Sequence, residues 1–444
     1  MKKSFLINSL TYFAVLTVFI SEKGYSQVWS SIGSGVNSNV YAFAVDSASN
    51  ELYVGGWFLE AGGIPAPHIA KWDGTTWSSV GGGMNNTFIL TDVRSICFFN
   101  GDLYAAGAFD SAGGIQVKNI AKWNGLNWAP VGAGLNKPVH VLQVYNGELY
   151  AGGAFDSSGT IAVNMIAKWD GSNWTNVGSG TDNDVLTMCN FNNNLYVGGY
   201  FTQAGGIPAY RVAKWDGINW NTVGSGFGNT VRKLYVFNNE LFAGGDFTSI
   251  SVNPSQYISK FNGTSWQALP FPNEKIKDFA TYNGNLYVTG AFTFPSYIAR
   301  FDGNTYFPLG PGLSWTGDCL TIYKNEMYVG GSFSSVGGGL PNTVGIAKWN
   351  DAVGIFENIV SVHALTYPSP FREQVCFSLP KFINTLFPFR LSIYNLLGER
   401  CILIENINSL TYQLQNIKLP TGIYYYRFQN KTGSSIATGQ ITSE

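Results

Sequence analysis

One phrase recurs along this chain and limits what it can fold into: NGxLYxGGxF, a loop, IAKWDGxxW, then xxVGxG. Its closing aromatic falls at Trp29, Trp77, Trp128, Trp174, Trp220, Trp266 and Tyr306, at spacings of 48, 51, 46, 46, 46 and 40 residues. A glycine followed two residues later by phenylalanine appears seven times, ending at Phe58, Phe109, Phe155, Phe201, Phe247, Phe292 and Phe333. The IAKW element also appears seven times, ending at Trp72, Trp123, Trp169, Trp215, Phe261, Phe301 and Trp349. Self-similarity at such a period identifies a repeat architecture.

Each unit holds four short apolar runs. In the third they are strand a (Val139–Tyr145), b (Leu149–Phe155), c (Ile166–Trp169) and d (Trp174–Val177). Asn146-Gly147 links a to b and Asp170-Gly171 links c to d; both dipeptides predict two-residue type I′ hairpins, whose central residues take positive φ. Four-stranded meanders at this period are propeller blades. With 53 glycines, 15% aromatic and only 12% charged residues, the composition suits short, tightly turned strands. Seven a–b–c sets are present, and the last ends near Asn350 with no d strand after it. An unattached strand, Trp29–Ile32, stands near the N-terminus. Its pairing with Gly345–Trp349 would remove both open edges of a ring. The expected fold is all-β: a seven-bladed β-propeller over 28–354, closed by the N-terminal strand, then an immunoglobulin-like β-sandwich over 360–444.

The units resemble kelch repeats of the galactose-oxidase type. The residues that carry this are the double glycines Gly152-Gly153 and Gly198-Gly199, and the aromatic pairs Trp169/Trp174 and Trp215/Trp220. Kelch units usually have tyrosine at the first aromatic, where this chain mostly has tryptophan. Fungal cell-polarity landmark proteins carry similar GGxF…WDGxxW repeats. Either resemblance implies a propeller and neither implies a particular activity.

Both ends of the chain point to export. Lys2 and Lys3 precede an apolar stretch from Phe5 to Ile20, and Gly24 and Ser26 supply small residues before Gln27. Residues 1–26 are therefore expected to be a signal peptide, too short in its apolar core for a transmembrane anchor. After Asn350 the texture changes, and three phrases stand out in order: Tyr367-Pro-Ser-Pro-Phe371, Leu391-Ser-Ile-Tyr-Asn-Leu-Leu-Gly398 and Leu419-Pro-Thr-Gly-Ile-Tyr-Tyr-Tyr-Arg427. Together they resemble the type A C-terminal sorting domain of the type IX (Por) secretion system. The resemblance implies passage across both membranes, the secretion machinery as a partner, and release into the medium or attachment to the cell surface. Gln440 stands where the family commonly has lysine.

Chemistry is harder to find. Of three histidines, His363 opens the C-terminal region, leaving His68 and His140. They leave no histidine to spare for the oxidase's copper site, which is built on two histidines plus tyrosines. No HExxH or GxSxG phrase and no Cys–His pair is visible, so no enzyme, metal or cofactor is predicted. Asp73 to Trp77 is similar to a sialidase Asp-box but one residue short, and reads as a turn. Asp182-Asn183-Asp184 could touch calcium but reads more simply as a solvated loop. Five cysteines without CxxC spacing give no disulfide framework, with a Cys376–Cys401 bridge left open. A formal net charge of −1 with no long basic run argues against a nucleic-acid partner.

The remaining function is a surface binding or adhesion module for a glycan or a protein. The alternatives are a carbohydrate-active lyase or glycosidase, or a purely structural surface protein. In an up-and-down blade the b–c and d–a loops share one face, and function concentrates on such variable loops. Only Trp57 and Trp315, of 13 tryptophans, lie off the repeat positions. The second residue of strand a varies as Tyr41, Arg94, His140, Leu186, Arg232, Lys277 and Asp318. The expected ligand site is an aromatic platform of Trp57, Trp315 and Tyr41, with Asp318 as polar anchor and Arg94, His140 and Tyr200 further round. In the plainer reading, both tryptophans only cover loop backbone.

Overall fold

A computed structural model describes residues 27–86, 91–250, 253–270, 273–293, 295–351, 365–367, 370–379, 388–395, 399–415, 417–429 and 435–443. The expected signal peptide lies outside them. Chain contacts divide the protein into two compact units, Met1–Ala352 and Val353–Glu444. Every named element is a β-strand.

The first unit contains seven four-stranded antiparallel sheets. In six of them the strands are consecutive in order a–b–c–d, as in Val139–Tyr145, Glu148–Gly153, Ile166–Trp169 and Trp174–Asn176. The seventh has Gly317–Tyr323, Glu326–Gly331 and Ile346–Asp351 as a, b and c, and takes Gln27–Ser30 as its fourth strand. In that pairing Trp29 lies opposite Trp349 and Ser30 opposite Lys348. Each a strand contacts the a strand of the next sheet, and Gly317–Tyr323 contacts Val40–Asp46 of the first.

Aromatic rings fill the spaces between sheets. The d-strand tryptophan packs on the c-strand aromatic of its own sheet, with ring centroids 5.4 Å apart for Trp169 and Trp174. Its indole N–H then donates to a backbone carbonyl just past the d strand of the preceding sheet: Trp77 to Ile32, Trp128 to Val80, Trp174 to Val131, Trp220 to Val177 and Trp266 to Val223. Trp29 does the same to Leu309, and Tyr306 replaces the indole with its hydroxyl on Pro270. A buried indole must satisfy its N–H, so one residue type supplies both packing and register. The double glycine makes room for two other close approaches. A Cβ on Gly152 would come 2.4 Å from the Val185 side chain of the next sheet, and one on Gly153 2.4 Å from the Pro138 carbonyl.

Turn chemistry agrees with the sequence at the a–b links but not at the c–d links. Asn146 and Gly147 take φ of 49° and 76°, as a two-residue a–b hairpin requires. The c–d link is different. Trp169 pairs with Trp174, so the loop holds four residues, and Asp170 is not in the left-handed region. Its carboxylate instead accepts the N–H groups of Ser172 and Asn173, an Asx turn in which only Gly171 needs positive φ. The b–c loops also carry structure of their own. Glu60–Ala61 pairs with Ile64–Pro65 and Ser157–Ser158 with Ile161–Ala162, and d–a loops bridge onto these hairpins, as Val36 does with Ala61.

The second unit has a three-stranded sheet (Leu365–Tyr367, Gln374–Ser378, Thr411–Gln415) and a four-stranded one (Arg400–Ile407, Phe389–Tyr394, Gly422–Gln429, Ser435–Ser443). Val375, Phe377, Leu391, Ile393, Tyr426 and Phe428 from both sheets share one core. Cys376 and Cys401 sit in different sheets, and all five cysteines are free, so the bridge left open from the sequence is not formed.

Candidate functional site

Near the start of strand a the ladder slips by one residue in all seven sheets. In the first, Val40 pairs with Gly56 and Ala42 with Gly55, leaving Tyr41 unopposed. The unopposed residues elsewhere are Arg94, His140, Leu186, Arg232, Lys277 and Asp318. A bulge re-aims its extra side chain away from the two sheet faces. The variable position picked from the sequence is thus a bulge position, at the end of strand a that the d–a and b–c loops share.

These side chains join across sheets. Arg94 Nε lies 2.9 and 3.0 Å from the two carboxylate oxygens of Asp92, and its Nη1 lies 3.0 Å from His140 Nδ1. His140 Nε2 is 3.4 Å from Asp184 Oδ2, and that hydrogen bond holds the Asp184 carboxyl below its ordinary range. Arg232 grips Asp246 with two bonds of 2.7 Å, which raises the guanidinium pKa, and Tyr200 adds to the effect. Lys277 pairs with Asp318, whose other oxygen accepts the Ser332 hydroxyl at 2.9 Å. Burial raises the Tyr41 phenol pKa, opposed by a 3.0 Å hydrogen bond from Asn39 Nδ2; Asp318 and Asp92 raise it further and Arg94 lowers it.

The two off-repeat tryptophans are exposed, Trp57 by 42% and Trp315 by 57%. Trp57 N–H donates to the Asn39 carbonyl, and the Asn39 side chain holds Tyr41, so Trp57 and Tyr41 share one support. Trp315 packs on Tyr297 with ring centroids 5.8 Å apart. Its neighbour Thr316 accepts a 3.5 Å hydrogen bond from Lys277, the partner of Asp318. Tyr41 is thereby linked to Trp57, and Asp318 to Trp315. Arg94 and His140 form a second group, and Tyr200 a third with Arg232.

Sequence reasoning missed Asn39, Asp92, Asp246 and Tyr297 as members, and saw Asp184 only as an isolated loop acid. Asp92 and Asp184 lie just before or at the start of strand a and Asp246 directly after the double glycine, so alignment of the repeats on the bulge would have exposed them. It also missed a pair further along the a strands: Lys233 Nζ lies 2.9 Å from Asp278 Oδ1, while Asp278 accepts the N–H groups of Phe279 and Leu320, each at 2.8 Å. His68, the other candidate histidine, is buried with Nδ1 unpartnered.

Residues 365–441 match the family model of the secretion system C-terminal sorting domain. This tail marks the protein for the type IX secretion machinery and for export to the cell surface or extracellular space. No curated protein matches the chain. Among solved structures it is similar to PorZ, a surface component of the type IX secretion system of Porphyromonas gingivalis, at 12% identity over 92% of this chain and 60% of that one, TM-score 0.49. It is also similar to the extracellular domain of a hybrid two-component system of B. thetaiotaomicron, at 13% identity over 94% of this chain and 57% of that one, TM-score 0.48. A copper-bound fungal alcohol oxidase of the AA5 family gives 11% identity over 94% and 99%, TM-score 0.42. The chain thus spans about 60% of the first two, and likeness at these scores, to enzyme and non-enzyme alike, assigns no activity.

Proposed function

We propose that the protein is a surface binding module: a closed seven-bladed, kelch-like β-propeller over 28–354 that holds a glycan or protein ligand at the mouth of its ring. An immunoglobulin-like sorting sandwich over 360–444 delivers it. The closure reading rests on the pairing of Gln27–Ser30 with the last repeat and on contacts that run from sheet to sheet back to the first. The binding reading rests chiefly on the bulges. They gather the variable side chains at one end of the a strands, beside two exposed tryptophans, while the repeat-position tryptophans Trp72, Trp77, Trp128, Trp169, Trp174, Trp215, Trp220 and Trp266 are buried. Exposed aromatics flanked by oriented polar groups suit stacking on a sugar ring or gripping a peptide.

The test is binding of the full chain to glycan and protein arrays, alongside a panel of chromogenic glycosides. Trp57→Ala and Trp315→Ala should each weaken the array signal at least tenfold while shifting the melting temperature by less than about 2 °C, as for an exposed side chain. Stability lost with binding kept would make both tryptophans loop packing. Turnover of a glycoside would replace the binding reading with an enzyme.

A further inference from the structure

The b–c loops form a rim in which the first five sheets each carry a small hairpin and the sixth has the shortest loop of the seven. Five residues separate Phe292 from Ile298, against ten in each of the first five units and twelve in the seventh. Ten residues suffice for the small hairpin, such as Gln203–Ala204 with Ile207–Pro208. Five do not. The rim is therefore lowered over this sheet, and beside the gap stand Tyr297 and Trp315. From there the contacts lead inward without a break through Thr316 to Lys277 and Asp318.

The charges at the bulge positions are already matched. Lys277 holds Asp318, Arg232 holds Asp246 in two bonds, and Arg94 holds Asp92. A carboxylate or sulfate ligand would have to displace a partner that is already in place. A hydroxyl need not, because a paired carboxylate keeps unused lone pairs and the hydroxyl can donate or accept. We infer that the mouth binds a neutral, polyhydroxylated chain, an uncharged glycan whose internal residues lie across the gap over the sixth sheet and stack on Trp315. The inference rests on the binding reading above and adds the chemical class and the direction of approach.

The test is calorimetry of the full chain with uncharged β-1,4- and β-1,3-linked hexose oligomers of two to eight units, and with galacturonate oligomers, at 50 and 500 mM NaCl. In one neutral series affinity should rise with length up to about five units, and salt should change Kd by less than about twofold, since screening acts on charge. Replacing residues 293–296 with the nine-residue loop 202–210 of the fourth sheet refills the rim. That variant should lose at least tenfold in affinity for the longer oligomers while keeping that for the disaccharide. If it fails to fold, Trp315→Ala should give the same length-selective loss. Binding confined to galacturonate, with strong salt dependence, would overturn the neutral class and leave a binding module standing. A protein ligand from the array with no oligomer bound would overturn the glycan. No ligand in any format would overturn both readings.

Discussion

His68 holds a left-handed backbone, φ 66°, at the residue that precedes strand c. Asn119 occupies the same place in the second repeat at φ 58°, and Gly345 in the seventh at φ 68°. The conformation is thus a demand of the fold, and asparagine meets it at low cost. The imidazole is buried, and burial pushes its pKa below 6.5 against the smaller opposing effects of the Gly56 backbone and Asp92. As pH falls through 6.5 the unfolded chain takes a proton that the folded one refuses, so stability present above that value declines below it. Melting temperature should therefore fall from pH 7.5 to 5.5, and His68→Asn should flatten the slope. An unchanged slope in the variant would show that His68 titrates alike in both states. At this scale the sequence was readable in part. The variability of Tyr41, Arg94 and Asp318 marked a position facing outward from the repeat, but the bulge behind it leaves no residue-type trace in strand a. The trace is across the ladder, in the glycines. A Cβ on Gly56 would lie 2.1 Å from the Asn39 carbonyl.

Among the elements, the strand Gln27–Ser30 carries the most consequence for its length. Trp29 is 4% exposed, its ring lies 5.0 Å from Trp349 and its N–H donates to the Leu309 carbonyl at 2.9 Å. The next link in the same series is Trp77 on Ile32, just beyond this strand. Trp29→Ala should cost about 3–5 kcal/mol in urea denaturation, as truncation of a buried aromatic does. Trp315→Ala, of equal volume change but exposed, should cost under about 0.5 kcal/mol. Equal costs for the two would contradict the role given to the N-terminal strand. The need for such a strand was legible by counting, because seven a–b–c sets had only six d strands to follow them. The c–d turns were misread for a physical reason: Asp-Gly fits a type I′ hairpin, but a carboxylate that captures two backbone N–H groups makes a four-residue loop at least as good. The small b–c hairpins were missed because two residues a side are too few to show alternation.

On the scale of the whole molecule, the chain joins two units with separate tasks, and its tryptophans allow them to be observed separately. The core of the second unit is made of its own residues, Phe371 through Ile441, and all 13 tryptophans fall at or before Trp349. Indole fluorescence thus reports on the first unit alone. The sorting motifs were legible as phrases, since Tyr367 to Phe371 and Leu419 to Arg427 keep their order at the end of an exported chain, and residues 365–441 match the sorting family. The ligand was not, because repeat-position residues answer to packing and only a few bulge and loop residues are free to answer to a partner. Deleting 360–444 should leave the fluorescence-detected melting transition within about 2 °C of the full chain, because the ring pairs of the seven sheets, such as Trp29 with Trp349, are made within the first unit. The truncated protein should nevertheless accumulate in the periplasm, measured by fractionation and immunoblotting of cells and medium. Normal levels in the medium or on the surface would mean that the tail does not direct export. A collapsed melting transition would mean that the first unit depends on the second to fold. Retention with an intact transition is the expected result, since the tail is recognised in transit and the seven sheets are held by their own rings.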